Sequence, residues 1–75
     1  MAMKISEIRE RLERKNTDQL KEYCVHNMKL KKADLINLLE EAGCCPSSKM
    51  TYYEIVYEYR YIVVDIIVEL WEQCD

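Results

Sequence analysis

The last third of the chain combines a wide apolar face with a narrow acidic one. When Glu54 is placed at zero on a helical wheel, five further positions fall within about 60° of it: Glu58, Tyr61, Asp65, Glu69 and Glu72. Apolar side chains hold nearly all of the remaining arc, whereas an ordinary surface helix needs a stripe of only about 100°. The pattern predicts one amphipathic helix over residues 50–74, with more apolar surface than a small chain can bury internally.

This segment is also rich in β-branched residues, which strands favour. A strand is excluded because alternation of polar and apolar side chains fails over residues 62–64 and again over residues 66–68, while the acidic residues keep helical spacing. Thr51 and Glu54, three residues apart, form the sequence signature of a capping box. We therefore expect a helix that begins after Thr51.

Three shorter helices are predicted upstream, at residues 5–15, 17–26 and 31–42. The first has a thin apolar stripe at helical spacing, formed by Ile5, Ile8 and Leu12. Asn16 and Gln19 have the spacing of a second capping box, and Gly43 has the position of a residue that ends the third helix in a left-handed conformation. In the link between the second and third helices, Asn27 is the residue best suited to a left-handed turn.

Composition places these helices in one small domain. The chain has 75 residues, with one glycine, one proline and no phenylalanine, which indicates an all-α fold over residues 1–75. A domain of this size has a marginal core, and self-association is a common remedy. We expect a homodimer whose dimerisation helix is the segment 51–74.

Charge is divided unevenly along the chain. Residues 1–32 hold nine basic side chains against five acidic ones, whereas residues 33–75 hold two against nine. The basic half has the sign that suits a polyanion. Charged residues interrupt every window long enough to cross a bilayer, and the start of the chain has no apolar run typical of a signal peptide. We expect an intracellular, cytoplasmic protein without a membrane span.

The cysteines and the single histidine give no sign of catalysis or of a metal. A zinc site can be drawn from Cys24, His26 and further thiols, but no C-x-x-C pair exists, and on a helix these two side chains point about 200° apart. The same geometry argues against a cysteine nucleophile assisted by His26. No serine triad or glycine-rich phosphate loop is present. We expect no enzyme activity, no metal and no cofactor.

Two segments resemble a known helical motif. Residues 17–24, TDQLKEYC, and residues 28–39, MKLKKADLINLL, are similar to the helix–extension–helix motif of SAP domains and of the small N-terminal subdomain of transcription terminator Rho. The second segment matches best, through Lys31, Lys32, Asp34, Leu35 and Ile36. The connector is shorter than in SAP domains and lacks their usual glycine. The resemblance implies a helix–extension–helix unit over residues 17–42.

The resemblance also implies a nucleic-acid interface, because many SAP domains bind DNA around the start of the second helix of the motif. Carried onto this chain, it places Lys29, Lys31 and Lys32 near phosphates, with Lys21 as an outlying contact. A solvated lysine-rich surface is the alternative interpretation of the same residues. A helix start suits phosphate for a physical reason as well, since its backbone N–H groups favour anions.

The terminal helix indicates a second kind of surface. One strip follows alternating spacings of four and three, the pattern of a helix–helix seam, through Tyr53, Tyr57, Arg60, Val64, Ile67 and Trp71. Tyrosine, tryptophan and arginine are the residues enriched at interface hot spots. We expect this strip to contact a partner, and Arg60 to need a carboxylate or carbonyl, for which a residue of a second copy is one source.

Together these patterns predict a small all-α homodimer that serves as a nucleic-acid-associated regulatory or architectural module. The alternative is a stoichiometric protein-binding factor, of the kind that phages, other viruses and mobile elements encode to block a host enzyme. In that alternative the acidic stripe of the terminal helix competes with nucleic acid for a basic groove. The same stripe is ordinarily a solvated helix face.

Overall fold

The chain is built from helices, as predicted. The computed structural model describes residues 4–73, and no strand occurs in that range. Its helices are α1 (Ile5–Arg14), α2 (Thr17–Glu22), which continues into a π-helical turn (Tyr23–Asn27), α3 (Lys32–Glu41), α4 (Tyr52–Glu58) and α5 (Arg60–Gln73). None of the helices described is long and apolar enough to cross a membrane.

Helix α5 occupies the centre of the fold. Five of its side chains are buried: Val63, Val64, Ile66, Ile67 and Val68. Helices α1, α3 and α4 all contact α5, while α2 packs mainly on α4. The upstream helices contribute leucines that are almost wholly buried, at positions 12, 20, 35 and 39. One apolar core therefore joins all five helices.

The predicted helix ends are confirmed where the signal is local. The side chain of Asn16 accepts a hydrogen bond from the N–H of Gln19, and the Gln19 side chain accepts one in return, so the capping box of α2 is complete. Thr51 and Glu54 form the same reciprocal pair at α4. Gly43 has a φ of 91° and ends α3, with its N–H donating to the carbonyl of Glu40 at 3.0 Å.

The prediction of one continuous terminal helix is wrong. Tyr59, with φ −110° and ψ 31°, separates α4 from α5, and Cys74 lies outside the described residues. Hydrogen bonds from Tyr59 to the carbonyl of Ile55 at 3.0 Å and from Val63 to that of Tyr59 at 2.8 Å carry the four-residue register past this point. The break follows from packing, because α4 contacts α2 whereas α5 contacts α1 and α3.

The left-handed residue of the connector is Lys29, with a φ of 55°, and not Asn27. Asn27 belongs to the π turn, which is closed by a hydrogen bond from the Met28 N–H to the Tyr23 carbonyl at 3.1 Å. A π turn includes one more residue than an α turn, so the helix ends later than the sequence indicates. Lysine in this conformation carries a steric cost of about 1–2 kcal/mol that glycine avoids.

This geometry predicts opposite effects of glycine at two lysines. Lys29→Gly is expected to raise the free energy of unfolding by up to about 1 kcal/mol, because relief of the left-handed strain exceeds the entropy that glycine adds to the unfolded chain. Lys21 lies within helix α2, where glycine relieves no strain, so Lys21→Gly is expected to lower it by about 0.5–1 kcal/mol. Urea denaturation measures both. Equal destabilisation by the two substitutions would contradict the assignment.

Candidate nucleic-acid interface

The fold brings three of the four predicted lysines together. Lys29 and Lys31 are exposed in the connector, and Lys32 is half-buried at the first position of α3. Lys21 lies in the last turn of α2, outside the connector, and is half-buried. Three of the predicted lysines therefore lie at or just before the start of α3, whereas Lys21 belongs to a different helix.

A fourth lysine joins this group through a contact that no local pattern shows. The ammonium of Lys32 donates a hydrogen bond to the Ser48 carbonyl at 2.7 Å. Because that carbonyl belongs to the peptide bond joining Ser48 to Lys49, the exposed Lys49 is held next to the start of α3. We call the group formed by Lys29, Lys31, Lys32 and Lys49 the lysine platform.

A second contact fixes the connector to the terminal helices. The hydroxyl of Tyr52, at the start of α4, donates to the carbonyl of Leu30 at 3.1 Å. The connector is therefore attached to α4 through Tyr52, while the loop before α4 is attached to α3 through Lys32. These two bonds set the relative positions of the two segments that supply the platform.

The acidic side chains beside the platform serve as helix caps. Asp34 accepts a hydrogen bond from the Lys31 N–H at 3.1 Å, and Glu54 accepts one from the Thr51 N–H at 3.0 Å. The hydrogen bonds that Glu54 forms with Thr51 lower the pKa of the Glu54 carboxyl, and the nearby charge of Lys32 lowers it further. Both carboxylates are committed to backbone groups, although their charge still offsets part of the platform.

Several cations of the basic half have partners within the chain. Arg9 of α1 pairs with Asp65 of α5, and Arg14 pairs with Glu10 one turn away at 2.7 Å. The ammonium of Lys15 lies 5.6 Å from the centre of the Tyr23 ring, a cation–π contact. Two arginines and one lysine outside the platform are therefore already engaged by groups of the same chain.

The predicted partner strip on the terminal helix is wrong at two positions. Val64 and Ile67 are 1% and 0% exposed, so they belong to the core of a single chain. The reason is that α1, α3 and α4 all contact α5 and together cover a wider arc than the sequence pattern allowed for. Neither residue is positioned to meet a second molecule.

Arg60 finds its acceptors inside the chain. Its guanidinium donates to the carbonyl of Glu13 at 3.0 Å and to that of Lys15. Both carbonyls lie at the end of α1, where the last turn of a helix leaves acceptors without intrahelical donors. Arg60 therefore caps α1 from the first position of α5, and the partner carboxylate suggested by the sequence is not required.

The remaining members of the strip are exposed. Tyr53 and Trp71 are each 42% exposed and Tyr57 is 67% exposed. The indole N–H of Trp71 donates to the hydroxyl of Tyr23 at 2.8 Å, which ties the end of α5 to the π turn. The predicted homodimer remains a prediction, and the surface through which two copies would meet is not determined by these exposures.

The described cysteines differ in burial. Cys24 is fully buried. Burial raises the pKa of its thiol to about 11, with a hydrogen bond to Tyr52 acting in the opposite direction, so the thiol stays protonated at neutral pH. Cys44 is half-buried and Cys45 exposed. Within residues 4–73, no group of three His, Cys, Asp or Glu side chains is placed to hold a metal ion.

No protein-family model, curated protein or solved structure matches this chain. The resemblance to SAP domains therefore stays a prediction that rests on the sequence alone.

Arg60→Met provides a test of the intramolecular cap. The substitution keeps a long apolar stem but removes both hydrogen bonds, so we expect the free energy of unfolding to fall by about 1–3 kcal/mol. Arg14→Met, which breaks an exposed pair, is the control and is expected to change it by less than about 0.5 kcal/mol. Both effects are measured by urea denaturation at two protein concentrations. A loss for Arg60→Met that appears only at the higher concentration would show that Arg60 faces a partner.

Proposed function

We propose that the protein binds the phosphate backbone of nucleic acid through the lysine platform. The observation that carries the proposal is the hydrogen bond from Lys32 to the Ser48 carbonyl, because it holds the loop that carries Lys49 against the first residue of α3. Lysines scattered on a solvated surface need no such connection. Here, the backbone of the loop before α4 is held next to the connector that carries Lys29 and Lys31.

The chemistry of the platform suits phosphate. Three of its four lysines are exposed, and lysine binds phosphate as a compact charge with several donors. The platform surrounds the start of α3, whose first-turn N–H groups have no intrahelical acceptors and favour an anion. Both features act on the backbone, so the binding is expected to be insensitive to base sequence.

The expected affinity is modest and depends on salt. Duplex affinity falls with salt concentration according to the number of phosphates that are neutralised. A platform of four lysines, one of them already bonded to the protein, provides few such contacts. The predicted homodimer would double the number of phosphate contacts and so would strengthen binding.

The proposal is tested by removing two exposed lysines from different segments. Lys31→Gln with Lys49→Gln should leave the fold intact and flatten the dependence of log affinity on log salt by up to about two units, since each phosphate contact contributes about 0.9. The matched control is Lys4→Gln with Arg14→Gln, which removes the same charge from α1 and its start. Fluorescence anisotropy with a labelled DNA duplex, a single strand and an RNA gives the slopes.

Two outcomes would contradict the proposal. One is the absence of binding by the unmodified protein to all three nucleic acids at about 50 mM salt. The other is an equal change of slope for the platform variant and for the control, which would mean that only net charge matters. A change confined to the platform variant supports the proposal.

A further inference from the structure

Three tyrosines form a row on the outer surface of the terminal helices. Tyr53, Tyr57 and Tyr61 are 42%, 67% and 76% exposed, and their four-residue spacing places them on one side of a helix. The four-residue hydrogen bonds on both sides of Tyr59 carry this register from α4 into α5. Three large rings in succession on a surface form an apolar patch of the kind that marks an interaction site.

Two of the three rings, Tyr57 and Tyr61, have a carboxylate within one helical turn on the same side of the helix. Glu54 lies three residues before Tyr57, and Glu58 lies three residues before Tyr61. Residues three or four apart are neighbours on a helix surface. Glu58 is exposed, so its charge is open to a partner, whereas Glu54 also caps α4. The surface thus alternates aromatic rings with negative charge; we call it the tyrosine–acid row.

This combination matches one side chain in particular. The guanidinium of arginine is planar, stacks on aromatic rings and binds carboxylates with two parallel hydrogen bonds. Related contacts exist within this chain, where Lys15 lies over the ring of Tyr23 and Arg9 pairs with Asp65, four residues beyond Tyr61. An arginine placed between a ring and a carboxylate of the row would make both kinds of contact at once.

We propose that the tyrosine–acid row is a docking surface for an arginine-rich segment of a partner protein. Charge complementarity determines the choice of occupant. The row carries the carboxylates of Glu54 and Glu58, so a second copy that docked through the same row would bring like charges together and be repelled. Phosphates are repelled by the same carboxylates. The proposal is independent of the lysine platform and concerns a different class of partner.

The test uses two synthetic peptides of equal length and charge, one with arginine and the other with lysine at every third position among alanines. Isothermal calorimetry with the full chain is expected to show tighter binding of the arginine peptide, by about threefold or more, because lysine lacks the planar fork. Tyr57→Ser with Tyr61→Ser should weaken it by about tenfold through loss of two ring contacts. Tyr57→Phe with Tyr61→Phe keeps the rings and should restore binding to within about twofold.

Two glutamate substitutions that remove the same charge distinguish direct contact with the row from long-range electrostatic attraction. Glu58→Gln should weaken binding of the arginine peptide by about threefold, whereas Glu40→Gln, an equal loss of charge at an exposed position of α3, should change it by less than about half that factor. Equal affinity for both peptides, or equal effects of the two glutamate substitutions, would overturn the proposal in favour of non-specific attraction. A wild-type dimer in sedimentation equilibrium that Tyr57→Ser with Tyr61→Ser converts to a folded monomer would overturn it in favour of a second copy.

Discussion

The burial of α5 is the constraint on which the rest of the molecule depends. On a helical wheel its five buried side chains span about 200°, more than half of its circumference. A single neighbouring helix cannot cover such an arc, and in this chain α1, α3 and α4 all contact α5. The apolar surface of α5, which the sequence pattern assigns in part to a partner, is therefore largely covered by other helices of the same chain.

Polar contacts distributed along the terminal helices then fix the surrounding elements. At the start of α5 Arg60 caps α1, and at its end Trp71 donates to Tyr23. Before the break at Tyr59, Tyr52 holds the connector to α4. These contacts leave the lysine platform at one surface and the tyrosine–acid row along another, with Glu54 between them as a cap of α4.

The sequence predicted what depends on neighbours along the chain. The capping boxes at Asn16 and Thr51 and the left-handed glycine at position 43 need only a few residues in a fixed order, so their signals are local. The break at Tyr59 and the left-handed Lys29 depend on tertiary packing and on an added π-turn residue. Periodicity alone shows neither of them.

The residues of the two proposed surfaces also divide into those that a local sequence pattern predicts and those that only the tertiary structure shows. Three lysines of the platform were visible because they are adjacent in the sequence, whereas Lys49 enters through a contact across sixteen residues. The sequence pattern places Val64 and Ile67 on a partner surface because a helical wheel shows how wide an apolar arc is, but not how many helices cover it. The wheel also groups Tyr61 with the acidic residues, so only the exposed fractions of the three rings show the row that Tyr61 completes.

We propose that tertiary contacts assemble one phosphate-binding surface from two segments of the chain. A map of backbone amide chemical shifts, recorded while a short DNA duplex is added at about 50 mM salt, tests this directly. The largest changes are expected to occur together in residues 29–32 and 47–49 and to saturate at the same duplex concentration. Changes concentrated in α1, or in only one of the two segments, would contradict this proposal.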